Sequence, residues 1–170
     1  VGFCAVDEVA QVLNIKISKP FFQSRYLLGK GRHKGKEIYL VKPLTFMNRS
    51  GEIIKPVLKK TGGTLQNLVI VYDNMDLPPG GCKLKNQHST AGHNGLESVF
   101  LHVKSATLLC IAIGIGRPRY KSQVVNYVLS DPTPEETPLI RTAVQKAADA
   151  ILLLLREPPQ KVMNVLNQKS

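Results

Sequence analysis

Apolar residues at Phe3, Val6, Val9, Ala10 and Leu13 recur at the spacing of one helical face, which predicts a helix over 1–14. The period then changes. SRYLLGKGRHKGKEIYLVKP (24–43) reads as two strands joined by a Gly- and Lys-rich turn. GEIIKPVLKK reads as a helix capped by Ser50, with Pro56 a local irregularity. NLVIVYD (67–73) is a short, almost continuous apolar run rich in β-branched residues, the pattern of a buried strand. LPPG (77–80) is a turn and GCKLK a short strand. A helix follows from residue 92 to about Lys104, and then a strong strand, LLCIAIGIG (108–116). RPRYKS is a basic loop. Residues 131–157 read as one long helix with a Pro- and Glu-rich start, and a short helix follows Pro158 and Pro159.

Strands alternate with helices throughout, which predicts the α/β class with one central sheet. There is no internal repeat, low-complexity tract or Gly/Ser linker, so 1–170 reads as a single domain. Hydrophobic residues make up 43%, yet the longest apolar run is AILLLL at 150–155, far short of the roughly 18 needed to span a bilayer. A soluble protein without a membrane span is expected. Cys4, Cys82 and Cys110 are scattered with no CxxC pair, so neither a metal cage nor a disulfide framework is indicated.

A formal net charge of +11 changes the picture most. Lys and Arg release counterions from phosphates, so nucleic acid is a natural partner; a basic enzyme indifferent to RNA is the alternative. Three segments place polar residues beyond a strand or at a helix start, where ligands of α/β proteins collect. In PLTFMNRSG (43–51), Phe46 and Met47 offer an apolar wall and Asn48 an amide; the same residues also suit core packing and a turn. In VIVYDNMDLPPG (69–80), Asp73 ends the apolar strand, where a carboxylate orients a His or polarises water. Asp76 fits an Asx turn. In HSTAGHNGLESVF (88–100), Asn94 or His93 caps the following helix, whose free N–H groups attract an oxygen-rich ligand. Lys83, Lys85, Arg117, Arg119 and Lys121 form a basic set suited either to phosphate or to solvent, and Lys83 and Lys85 share one side of their strand.

Taken together and in order, LVKPLTFMNRSG, YDNMDLPPG with KLK behind it, GHNGLES and IGIGRP resemble the bacterial-type peptidyl-tRNA hydrolase family, and the opening VGFCAVDEVA resembles that family's first helix. The resemblance spans nearly the whole chain. It implies a single-domain α/β fold with a mixed β-sheet flanked by helices on both faces. It implies hydrolysis, without metal or cofactor, of the ester joining a peptide to the 3′ ribose of tRNA, by a monomer in the cytoplasm. A His would act as general base on water, steadied by Asp73. Phe46, Met47, Asn48, His93 and Asn94 would contact the peptide and terminal adenosine, while Lys85 and Arg117 would meet tRNA phosphate.

The chain departs from the family pattern in three places. It begins at the family's Val-Gly-Phe, so the first strand, its loop and the catalytic His correspond to positions ahead of Val1; a truncated chain is expected, and a non-catalytic RNA-binding relative of the same fold is the alternative. His33, His88 and His102 are poor substitutes, because a general base needs hydrogen-bond reach to one water. Ahead of GHNG, NQHSTA replaces a run of glycines. Ala112 stands where the family often carries a phosphate-clamping Arg, which puts phosphate discrimination in doubt unless Arg117 or Lys121 compensates. A small-molecule hydrolase of the nucleophile-elbow kind is excluded by the lack of Gly-X-Ser-X-Gly.

Overall fold

The computed structural model describes residues 1–22, 25–90, 92–104, 107–118, 120, 122 and 124–168. In chain order these form α1 (Gly2–Val12), β1 (Tyr26–His33), β2 (Lys36–Pro43), a 3-10 helix (Met47–Ile53), α2 (Ile54–Thr61), a 3-10 turn (Leu65–Asn67), β3 (Val69–Asn74), β4 (Cys82–Gln87), α3 (Asn94–Val103), β5 (Leu108–Gly114), α4 (Val124–Leu129), α5 (Glu136–Leu154) and α6 (Pro159–Asn167). The α/β alternation expected from the sequence is present. Hydrogen bonding groups the described strands in two sets: the antiparallel pair β1-β2, and a three-stranded sheet in the order β3-β5-β4. Alternation suggested one central sheet; among the described strands the hydrogen bonds form these two groups. Side-chain periodicity reports which faces are buried but not which strand lies alongside.

Contacts divide the chain into two compact units: Val1–Glu8, Val71–Lys85 and Ile111–Ser170 in one, Val9–Ile70 and Asn86–Cys110 in the other. In the first unit, β5 contributes Ile111, Ala112 and Ile113, all without solvent exposure, and α5 contributes the buried Ala143, Ala147 and Ala148. The small side chains of α5 permit close packing where larger ones would overfill. The DLPPGG loop folds onto the end of β5 through backbone bonds: Gly114 N–H to Gly81 O (2.8 Å), Ile115 N–H to Asn74 O (3.1 Å) and Gly116 N–H to Leu77 O (2.9 Å). A Cβ on Gly114 would meet Leu77 Cβ at 2.8 Å, which accounts for a glycine there. The Asn167 amide donates to Leu84 O (3.0 Å) and accepts the Leu84 N–H (3.1 Å), so α6 satisfies the β4 backbone as a neighbouring strand would.

In the second unit the hairpin buries Gly29, Ile38 and Leu40 on one face. Gly29 lies so close to the 15–17 segment that a Cβ would meet Ile15 Cγ2 at 2.7 Å. On the other face Tyr26 joins Ile53 and Val57, with Leu28 and Val41 alongside. The 3-10 helix Met47–Ile53 packs on α3 through Gly51, whose N–H donates to the Ser98 hydroxyl at 3.0 Å in a buried setting.

Four local expectations change. Ser50 caps nothing; it lies inside the 3-10 helix and its hydroxyl donates to Met47 O at 2.9 Å. Pro56 is no irregularity, because it is the third residue of α2, where the N–H has no intrahelical partner to lose. The long helix starts at Glu136 rather than 131. The preceding stretch is held by a reciprocal Thr133–Glu136 pair, each side chain bonding the other's backbone N–H (3.2 and 3.0 Å). Past the basic loop, α4 leaves no mark in the apolar pattern, because six residues are too few to display a period.

Candidate active site

The residues singled out by sequence fall into both units. Asp73, Lys85 and Arg117 belong to the first, and Phe46, Met47, Asn48, His93 and Asn94 to the second. Arg119 and Lys121 lie outside the described residues.

In the second unit, Phe46 and Met47 are 77% and 55% exposed, and Asn48 is exposed beside them at the start of the 3-10 helix. Core packing, the alternative for this pair, is ruled out. His93 is the N-cap of α3: its Nδ1 accepts the N–H groups of Gly95 (3.1 Å) and Leu96 (3.2 Å). The open choice between His93 and Asn94 as cap is thus settled for His93, and Asn94 is the first, exposed residue of the helix. Because Nδ1 accepts, the ring proton sits on Nε2, and the imidazole presents a donor rather than a base.

Gly95 brings the two motifs together. A Cβ there would lie 2.7 Å from Met47 Sδ and 2.9 Å from His93 Cε1, so both side chains converge on a residue that must lack one. Nearby, Arg25, Leu44, Thr45, Phe46 and Arg49 line a cavity of about 310 Å³, and the buried Thr45 hydroxyl has no hydrogen-bond partner. Arg49 (Nε to Oε1, 2.6 Å) and Arg25 both bond Glu52. Hydrogen bonds from Arg49 hold the Glu52 carboxyl below its ordinary range, and the charges of Arg49, Arg25 and His102 act in the same direction.

In the first unit, Asp73 is partly buried at the penultimate position of β3, next to the buried Tyr72 and Asn74. The expected Asx turn exists but belongs to Asn74, whose Oδ1 accepts the Asp76 N–H at 2.7 Å. The Asp76 carboxylate instead accepts from Arg117 (Nε to Oδ1, 2.9 Å) in an exposed pair. Asp76 and Arg117, with Met75, Leu77, Tyr127 and Glu136, border a cavity of about 510 Å³. Lys83 is exposed and Lys85 partly buried along β4, whereas Ala112 is wholly buried in β5. Arg117 is thus already engaged with a carboxylate.

Other groups are poor candidates for the chemistry. His102 donates from Nδ1 to Ser98 O (2.8 Å), and His88 Nδ1 pairs with the Thr107 hydroxyl (3.0 Å). Cys82 is buried, and desolvation pushes its thiol up to about 11, so it offers no thiolate nucleophile at neutral pH. Among the described residues no group of three or more His, Cys, Asp or Glu is placed to hold a metal ion, and no helix is long and apolar enough to cross a membrane. Sequence reading missed the Ser98–Gly51 bond and the Glu52–arginine cluster. The only trace of the former was Ser98's place within GHNGLES.

Comparison with known proteins points to one family. A family model described as peptidyl-tRNA hydrolase matches residues 1–170. A peptidyl-tRNA hydrolase of Bacillus licheniformis is 42% identical over 99% of this chain and 89% of its own length. One of Listeria monocytogenes is 42% identical with the same coverage. Among solved structures, a peptidyl-tRNA hydrolase in complex with n-propanol superposes with a TM-score of 0.90 at 29% identity, over 98% of this chain and 84% of that one. The Acinetobacter baumannii enzyme does so at 0.89 and 30% identity, over 97% and 83%. The chain therefore belongs to the peptidyl-tRNA hydrolase family.

Proposed function

We propose that this chain hydrolyses the ester between a peptide and the 3′ ribose of tRNA, and that Phe46, Met47, Asn48, His93 and Asn94 hold the peptide and terminal adenosine. The carrying observation is the convergence of Met47 and His93 on Gly95, which brings the exposed Met47 beside the imidazole of His93. Exposed large apolar side chains are meaningful when grouped with polar ones. The wall suits the peptide side chain or the adenine face, and the His93 Nε2–H and the Asn94 amide suit carbonyl or hydroxyl oxygens. The helix start below them favours electron-rich groups.

In the proposed reaction a water oxygen attacks the ester carbonyl carbon, the bond to the ribose 3′ oxygen breaks, and the water's proton passes through a general base to that oxygen. Asp73 is proposed to steady the positive charge that the base acquires. His93 is not that base, since its Nδ1 lone pair is committed to the helix N–H groups. Lys85 and Arg117 are proposed to face tRNA phosphate. The exposed Arg117–Asp76 pair contributes little to stability, so a phosphate displaces Asp76 readily. The protein is proposed to act as a monomer in the cytoplasm, where translation produces its substrate.

The test is steady-state hydrolysis of peptidyl-tRNA by two variants. Asn94→Ala should lower kcat/KM by about 5- to 150-fold, the equivalent of ~1–3 kcal/mol for one lost hydrogen bond, with thermal stability nearly intact. Asp73→Asn should lower kcat by about 10²–10⁴-fold. Wild-type turnover in both would remove these residues from the mechanism.

A further inference from the structure

The chain's positive charge is unevenly placed. Residues 9–70 and 86–110 carry ten Lys and three Arg against three Glu, net +10 of the total +11. The remaining residues carry ten basic and nine acidic side chains. Four of the thirteen cations, Lys30, Arg32, Lys34 and Lys36, crowd the end of the β1-β2 hairpin. A single acid, Glu37, opposes them; it pairs with Lys30 at 2.8 Å, and the Lys30 ammonium also sits over the Tyr39 ring, 5.4 Å from its centroid. Lys34 and Lys36 are exposed, and among the described residues no acid lies within salt-bridge reach of either.

Lys34 is also held in an unfavourable backbone conformation. The two-residue turn between His33 and Lys36 has φ +48° at Lys34 and +83° at Gly35, the type I′ arrangement that favours Asn-Gly. A Lys in the left-handed region is strained, and strained residues persist where they serve a function. The sequence places a charge where Asn would fold better.

We propose that the end of this hairpin is a separate RNA-contact surface that grips the phosphate backbone of the tRNA body. The inference rests on the reading that the substrate is a peptidyl-tRNA, and extends it to a part of the RNA away from the ester. Glu37 orders Lys30, while Lys34 and Lys36 supply charge that no acid among the described residues neutralises.

The test is the affinity of the native protein for deacylated tRNA across a salt series, with thermal melting run in parallel. The double variant Lys34→Asn, Lys36→Thr should melt no lower than wild type. Its slope of log affinity against log salt should shrink by about 2, one per lost phosphate contact. Glu37→Gln, which removes the local acid, should shift affinity the other way. On a peptidyl ester of adenosine alone the double variant should match wild type, whereas on full-length peptidyl-tRNA its kcat/KM should fall. An unchanged salt slope in a folded double variant overturns the proposal, as does hairpin-dependent binding to anionic vesicles without any effect on tRNA. A wild-type protein that binds tRNA steeply through the hairpin but leaves the ester intact would instead sink the hydrolase reading and leave this surface standing.

Discussion

Ser98 shows how much a single side chain holds in place. It is 4% exposed, its hydroxyl accepts the Gly51 N–H, and its carbonyl accepts from His102. The 3-10 helix it anchors begins with Met47 and Asn48. Ser98→Ala leaves the Gly51 N–H buried without a partner, at a cost of about 1–3 kcal/mol. Urea unfolding should show that loss, accompanied by a raised KM as the Asn48 segment loosens; an unchanged midpoint would mean that the backbone relaxes to another acceptor. Gly95 is the opposite case. Its absent side chain makes room for Met47 and His93, and no survey of propensity or periodicity reveals such a requirement.

At the scale of elements, Glu52 of the 3-10 helix ties that helix to the start of β1 through Arg25, and Arg49 of the same helix bonds the same carboxylate. Its carboxyl sits below the ordinary 4.5 because Arg49 hydrogen-bonds the ionised form. A depressed folded-state value means that the unfolded chain takes up the proton first as pH falls. The stabilisation is therefore complete above about pH 4.5 and disappears as pH drops through the folded-state value. Thermal melts between pH 6 and pH 3 should fall less steeply in Glu52→Gln than in wild type. Parallel curves would show that the cluster contributes nothing to the fold. Most elements were legible from apolar spacing, including α1, the hairpin, β3, β4, α3 and β5. The errors arose at ends and junctions: a 3-10 helix where Ser50 suggested a cap, and a late start to α5. Short helices and helix starts depend on individual hydrogen bonds, which a periodic pattern does not encode.

For the whole molecule, a net charge of +11 predicts that tRNA affinity falls by orders of magnitude between about 50 and 200 mM salt, through counterion release. Fluorescence titration of labelled tRNA over that range checks it; a flat response would remove electrostatics from the account of binding. The sum of charges is a property of composition alone. Their concentration in residues 9–70 and 86–110 emerges only when contacts have divided the chain.

The sequence by itself determined the α/β class, the family and the candidate residues, because four motifs in fixed order are local strings that need no partner to be recognised. It also narrowed the chemistry, since Asp73 at a strand end and His-Asn at a helix start are placed by their own elements. The tertiary structure alone decided how these residues are used. It made His93 a cap through its Nδ1, gave the Asx turn to Asn74, committed Arg117 to Asp76 and sealed Ala112 in the core. The Arg117–Asp76 pair joins residues 41 apart and the burial of Ala112 needs the packed core, whereas the His93 cap and the Asn74 turn choose among side chains two or three residues from the N–H groups they accept. Packing fixes such meetings and choices, and the order of residues records them only indirectly.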